Sequence, residues 1–385
     1  MKAAVFHKPH DIRYENIADA EIENSTDLLL RVTSTSLGGS DLHIYNGFFP
    51  QLRPMVLGHE FMGVVEDVGN DVKKFKKGDR VIVPFTIACG TCFFCMHQVP
   101  TGCSKSNPQN YGPEGGIVTS KGAGLFGYTD LYGGYNGGQA EAVRVPYADF
   151  GPRKVPDSLT DEQALFLTDI LPTGWAGADK SQVKAGDTVV VFGCGPVGLM
   201  AQKAAWYKGA KRVIAVDVLP YRLNMAHEIC KSETIDSSKT DAVSEIIELT
   251  KGYGADVCID AVGLEARTNI FEKAANVINL QAGSSKIVEQ AIHATRRGGR
   301  ISLLGIYATN YDNFPIGGWI DKGLQIWGGL APVHNYIDEI IMMVEGGKLK
   351  TEDIITHSMR LADITKAYTM FNKKEDSCIK VILKP

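Results

Sequence analysis

The sequence predicts an α/β protein in which a β-rich lobe precedes a doubly wound domain built on a parallel sheet. Three observations predict it. Short alternating apolar runs, separated by Gly, Pro and Asp, fill residues 1 to about 150. From about Pro156 strand-like runs alternate with helix-length segments, the mark of stacked βαβ units. A glycine-rich turn, Gly193-Cys194-Gly195-Pro196-Val197-Gly198, joins one such run to a helical one. At 385 residues and 44% hydrophobic side chains, the chain is too long for one ordinary core and has apolar content for two.

Composition excludes several classes. A formal net charge of −4 offers no basic face to nucleic acid or anionic lipid. The opening Met1-Lys2-Ala3-Ala4-Val5-Phe6-His7-Lys8 lacks the apolar core of a secretion signal, and no run approaches the ~20 apolar residues of a membrane span. The expectation is a soluble cytoplasmic protein with neither a membrane nor a nucleic-acid partner.

In the first lobe, Asp27–Val32 and Arg80–Val83 read as strands. Between them lies Ser36-Leu37-Gly38-Gly39-Ser40-Asp41-Leu42-His43, and sixteen residues beyond His43 comes His59, in the turn Leu57-Gly58-His59-Glu60. That turn offers an imidazole and a carboxylate to a metal. Of the eight cysteines, Cys89, Cys92, Cys95 and Cys103 form C-x2-C-x2-C-x7-C, while Cys194, Cys230, Cys258 and Cys378 are scattered. Four thiolates close a tetrahedral zinc shell with no open position, a structural site that stiffens a lobe; free thiols or an iron-sulfur cluster are the alternatives. A disulfide framework does not suit a chain of this size without an export signal. The Gly- and Tyr-rich stretch from Lys105 to Gly138 reads as a long loop, and such loops serve as lids or stay disordered.

In the second half, Thr188–Phe192, Arg212–Val216, Asp256–Asp260 and Arg300–Leu304 read as strands of the parallel sheet. Gly193, Gly195 and Gly198 fit G-x-G-x-x-G, with Pro196 and Val197 between and the helical Leu199–Ala205 behind. The first Gly turns the chain, the second admits a pyrophosphate, and the third allows close helix–strand packing, with the anion at the helix N-terminus. Alone the pattern is also that of a structural turn; here the strand–turn–helix context is present. Nineteen residues past Gly198, Asp217 ends the next strand. A carboxylate there accepts from ribose hydroxyls and repels a 2′-phosphate, which favours NAD over NADP. Arg222 either reaches the adenosine side or is an ordinary exposed helix residue.

Gly58-His59-Glu60 followed by Gly63, Gly69 and Val72 reads G-H-E-x2-G-x5-G-x2-V. With the four-cysteine lobe and the dinucleotide turn, it resembles the zinc-containing medium-chain alcohol dehydrogenases over essentially the whole chain. Phe126-Gly127-Tyr128 with Gly137–Glu141, Leu167–Gly174 and Ile259–Gly263 are similar to the glutathione-independent formaldehyde dehydrogenase and dismutase branch. The resemblance implies a GroES-like catalytic domain of residues 1–170 and 331–385, with a structural zinc lobe at about 89–103. It also implies a Rossmann NAD domain, 171–330, inserted between, an active cleft at the junction, and a homo-oligomer, tetramer or dimer.

By the same resemblance, a catalytic zinc is held by a Cys, the His of Gly-His-Glu and a third residue. His59 and Asp169 match, Glu60 matches a carboxylate that enters the shell or exchanges with water, and the Cys position falls on Gly38. Ser40 and His43 match the hydroxyl and imidazole that pass the alcohol proton towards solvent. Leu304, Ile306, Gly329 and Leu330 match the nicotinamide end, though as plain sequence they are strand ends with Gly turns; Val262 is a further cofactor-binding match, and the Gly/Tyr-rich loop matches one that covers the adenosine.

Glycine supplies no ligand where a soft thiolate would sit. His59, Glu60 and Asp169 still make a three-ligand N/O set with open positions, of lower zinc affinity but higher net charge at the metal. Three readings follow: an enzyme with a reduced zinc shell, an engineered inactivating substitution, or an NAD binder that has lost the chemistry. The first expectation is an NAD-dependent, zinc-associated oxidoreductase of small alcohols or aldehydes, formaldehyde among them. The second, from another class, is a redox-inert NAD-binding or sensing protein on the same scaffold.

Overall fold

The computed structural model describes residues 1–49, 51, 53–107, 122–263, 285–307 and 314–385. The chain forms two compact units. Among the described residues, one unit is made of residues 1–107, 122–172 and 332–385, and the other of residues 173–331.

In the first unit the strand Leu28–Ser36 is the spine of a seven-stranded sheet. Leu28, Leu30 and Val32 are buried while Arg31 is exposed, the period-two pattern of a strand with one covered face. They pack with Phe61, Val65, Val81, Val83 and Phe126. Phe61–Val68 and Ala142–Val145 run antiparallel to the spine, and the C-terminal strand Val381–Lys384 pairs its far end, Ile382 opposite Ser36. Thr35 lies opposite Phe61, and the Ser36 N–H donates to the Glu60 carbonyl at 3.1 Å. This register brings the Gly38 segment, the His59 turn and the start of the strand Val381–Lys384 together at one end of these strands.

In the second unit six strands, numbered along the chain within the unit, lie in the order 3-2-1-4-5-6 with every pair parallel. Val189, Val190 and Val191 are all buried, because a strand covered on both faces needs an unbroken apolar run. The order reverses between Thr188–Phe192 and Ala255–Asp260, and a sheet of this kind opens its ligand crevice at the carboxyl ends of the strands beside that reversal. The strand Thr295–Leu303 starts before the apolar run that announced it, because Thr295 already pairs with Ala255 across a register shift. No helix among the described residues is long and apolar enough to cross a membrane.

One buried side chain of the first unit has no local support. His334, at the start of the helix Val333–Glu345, stacks on Phe150 with ring centroids 5.2 Å apart, and neither ring nitrogen has a hydrogen-bond partner. Burial, with the nearby Arg153 charge, drives its pKa down to about 3. The folded chain therefore keeps His334 neutral where the unfolded chain protonates it, near pH 6.5. Stability held above that pH is lost as pH falls towards the folded value, at about 1.4 kcal/mol per pH unit from this group. Urea unfolding of His334→Phe between pH 7 and pH 4 is expected to show a shallower acid slope than the parent; an unchanged slope would refute the assignment.

Candidate functional site

Three potential metal ligands converge in the first unit. His59 and Glu60 come from the turn before Phe61–Val68, and Asp169 follows the short 3-10 turn Phe166–Thr168. Their ligand atoms all lie within 4.8 Å of one another. His59 Nε2 stands 3.2 Å from Asp169 Oδ2. Two donors each about 2.05 Å from a tetrahedral zinc would be roughly 3.3 Å apart, so the pair is already at a ligand-edge distance.

Around these residues lies a buried polar network. Asp41 Oδ1 meets His59 Nδ1 at 3.1 Å, while its Oδ2 accepts the Gly38 N–H at 2.9 Å and the Gln139 amide at 3.2 Å. Gln139 also accepts from the Tyr368 hydroxyl at 2.9 Å. Glu60 Oε2 accepts from Ser36, and its Oε1 lies 2.6 Å from Lys380 Nζ, which also donates to the Leu37 carbonyl at 2.8 Å. Glu60 and Lys380 are both fully buried. Burial works against a charged His59, but the carboxylates of Asp41 and Asp169 outweigh it and hold the metal-free imidazole well above its ordinary pKa. Burial likewise pushes the Glu60 carboxyl up, with Lys380 pulling back.

Gly38 faces this cluster. A Cβ built there would lie 2.6 Å from His59 Cε1, 2.8 Å from His59 Nε2 and 2.9 Å from Glu60 Oε1. Any side chain at position 38 thus projects onto the imidazole and the carboxylate. Ser40 and His43 sit three residues apart on the helix Gly39–Tyr45, with His43 buried 6.1 Å from the Phe49 ring.

The four clustered cysteines are buried, and none is in a disulfide. Cys92 Sγ is 3.5 Å from Cys95 Sγ and 3.9 Å from Cys103 Sγ, and Cys89 Sγ is 4.0 Å from Cys95 Sγ. Zinc–sulfur bonds of about 2.3 Å place tetrahedral sulfurs roughly 3.8 Å apart, so the thiols already outline a zinc shell. The Thr91 and Cys89 N–H groups donate to Cys89 Sγ and Cys103 Sγ, each at 3.4 Å. Burial opposes ionisation of Cys92, but hydrogen bonds from Cys95 and Ser104 bring its thiol down to about 6.

In the second unit the glycine turn leads into the helix Pro196–Tyr207, whose first turn carries no side-chain cap. Uncapped N–H groups at a helix start are where an anion can bind. A Cβ at Gly198 would lie 1.9 Å from the Gly193 carbonyl oxygen, so only glycine permits that approach. Asp217 ends the adjacent strand and accepts from the Cys194 N–H at 2.8 Å and from Val218 and Leu219 N–H groups at 2.7 and 3.0 Å. Arg222 Nη1 lies 4.0 Å from Asp217 Oδ2 and would be 3.6 Å from a Cβ on Gly195, placing the guanidinium over the turn. Val262, Leu304 and Ile306, then Gly329 and Leu330, follow the carboxyl ends of strands Ala255–Asp260, Thr295–Leu303 and Gln325–Gly328. Val262 sits directly beside Gly193. The loop expected to cover the adenosine falls in part on residues 108–121, outside the described residues.

Sequence reasoning gave no role to Asp41, Gln139 or Lys380. Lys380 did carry a signal, being a single cation inside the apolar run Ile379–Leu383. Removing one partner of a buried pair costs about 3–5 kcal/mol, because the other charge is stranded. Lys380→Met should therefore destabilise the metal-free protein by about that amount in urea unfolding, and Lys380→Met with Glu60→Gln should recover most of it. Additive losses in the double variant would contradict the pairing.

Comparison with known proteins gives matches along the whole chain. Residues 24–157 match the alcohol dehydrogenase GroES-like domain, and 196–279 the zinc-binding dehydrogenase domain. An uncharacterised zinc-type alcohol dehydrogenase-like protein of Bacillus subtilis is 43% identical, with both chains covered in full. The glutathione-independent formaldehyde dehydrogenase of Pseudomonas aeruginosa is 33% identical across 96% of this chain and 94% of its own. Among solved structures, an alcohol dehydrogenase from Thermus sp. ATN1 superposes with a TM-score of 0.86 at 32% identity, covering 100% of this chain and 99% of its own.

Proposed function

The chain belongs to the zinc-type alcohol dehydrogenase family, and from that premise we propose that it transfers hydride between a small alcohol or aldehyde hydrate and NAD. The observation that carries the proposal is the convergence of His59, Glu60 and Asp169 within one ligand sphere. These three would hold a catalytic zinc, and Cys89, Cys92, Cys95 and Cys103 a structural one. Bound zinc supplies Lewis-acid polarisation of the substrate oxygen, and bound NAD supplies the hydride acceptor.

The remaining work falls to the chain's own side chains. Asp41 takes His59 Nδ1, which orients the imidazole so that Nε2 faces Asp169. Lys380 and Ser36 anchor Glu60 so that its carboxylate stays beside the imidazole. Ser40 and His43, close to one face of a single helix, take up the substrate proton and carry it towards solvent. Asp217, at the end of its strand, receives the ribose hydroxyls and selects NAD over NADP.

One observation favours the second reading, a redox-inert NAD binder. The metal-free imidazole is already satisfied by a carboxylate at each nitrogen, and it lies close against position 38. Metal analysis of gently purified protein, with NADH formation across an alcohol and aldehyde panel, separates the two. The enzymatic proposal expects two zinc ions per chain, one of them lost in His59→Ala, together with turnover; one zinc, bound NAD and no turnover would overturn it. Gly38→Cys should lower the stability of the metal-free protein by about 1–3 kcal/mol, since its Cβ must displace the His59 ring. With zinc added, the same variant should hold the second ion more tightly than the parent.

A further inference from the structure

Asp260, the last residue of the strand Ala255–Asp260, is a fully buried carboxylate to which the proposed reaction gives no part. Its Oδ1 accepts the Val262 and Gly263 N–H groups at 2.8 and 3.3 Å. Its Oδ2 accepts the Tyr307 hydroxyl at 2.6 Å. The Asp260 carbonyl accepts two more, from Leu304 N–H at 2.9 Å and Gly305 N–H at 3.1 Å. One residue thus binds both the turn that follows its own strand and the turn that follows the neighbouring strand Thr295–Leu303.

Those turns touch backbone to backbone. A Cβ at Gly305 would lie 2.3 Å from Gly263 N and 2.7 Å from Asp260 Oδ2, and one at Gly263 would lie 2.5 Å from Ile306 N. On the other side, Ala261 N–H donates to the Phe192 carbonyl at 2.9 Å, and a Cβ at Gly193 would lie 2.8 Å from Val262 Cγ2. The glycine turn, the 261–263 turn and the 304–307 turn therefore form one contiguous rim at the carboxyl ends of three adjacent strands, with Asp260 beneath it.

A doubly wound sheet binds a dinucleotide as two halves across its reversal point. The glycine turn and Asp217 belong to the strands on one side, which take the adenosine half. Asp260 and Tyr307 belong to the strands on the other side. We propose that Asp260, latched by Tyr307, is a positioning residue that fixes the two backbone turns against which the nicotinamide half of the cofactor docks. The inference rests on reading the second unit as a dinucleotide-binding domain. Burying a carboxylate costs free energy that a structural turn does not require; four N–H groups and a hydroxyl converging on Asp260 set the turns rigidly.

The test uses the whole protein with NADH and ADP as probes, followed by calorimetry and by the fluorescence of bound NADH. Tyr307→Phe removes the latch and keeps the ring, and should weaken NADH about fivefold while ADP binding stays within about twofold. Asp260→Ala should weaken NADH about tenfold or more with the same sparing of ADP. Asp260→Asn keeps an acceptor for the turn, and its amide can donate to a rotated Tyr307 hydroxyl, so it should hold NADH within about threefold of the parent. Unchanged NADH affinity in Tyr307→Phe, or parallel loss of NADH and ADP, would overturn the positioning role while leaving the dinucleotide reading intact. Parent protein that binds neither probe would overturn both. Should Asp260→Ala fail to fold, Tyr307→Phe decides alone.

Discussion

A buried charge costs several kcal/mol unless an opposite charge or several hydrogen bonds meet it, and that constraint orders the first unit around His59. Asp41, Glu60 and Lys380 are wholly enclosed, and His59 nearly so. Each has its compensation: Asp41 and Asp169 flank the imidazole, and Lys380 meets Glu60. The last pair joins positions 320 residues apart. It exists only once the C-terminal strand has closed against Leu28–Ser36, so the site is assembled by the sheet rather than by the turn that carries His59. Gln139 extends the same logic outwards, linking Asp41 to Tyr368 and the Ser36 carbonyl.

Within that array Gly38 does more than leave out a side chain. The nearest atoms to a side chain at 38 are the reactive ends of His59 and Glu60, so the backbone there lies close against the site. Asp41 accepts the Gly38 N–H with one oxygen and faces His59 with the other. The glycine segment and the imidazole are thus held by the same carboxylate. With glycine at position 38 the donor set is nitrogen and oxygen only, and the frame that aims His59 at Asp169 is complete without a side chain there.

The legibility of the molecule in its sequence follows the range of the interactions involved. The parallel strands are legible because burial on both faces demands runs such as Thr188–Phe192. The thiol cluster and the glycine turn are legible because their geometry is local: Cys89 to Cys103 span one lobe, and Gly193 to Gly198 one bend. His59 and Glu60 are offered by their turn and Asp169 by resemblance, and the structure brings their ligand atoms together. Asp41 stood inside the opening motif but reads as one more helix N-terminal acid until the sheet register sets it against His59. Lys380 shows in the sequence only as a lone cation in an apolar run, and the roles of Lys380 and Asp260 stay hidden for the same reason: a buried ion pair or hydrogen-bond hub is defined by partners that only tertiary structure supplies.

The two candidate metal centres of the first unit differ in how far the fold has arranged their donors. In the cysteine lobe, backbone N–H groups point at the sulfurs and favour the thiolate, and the sulfur separations are near those of a filled tetrahedron. Metal binding there completes a shell the fold has prepared, and soft thiolates favour zinc strongly. At His59 the two flanking carboxylates favour the protonated imidazole, and a ligand must be deprotonated before it binds. A metal at that centre therefore competes with a proton the protein itself stabilises, using harder donors and no thiolate. A closed four-thiolate shell retains its ion, whereas a three-donor nitrogen and oxygen set leaves positions open.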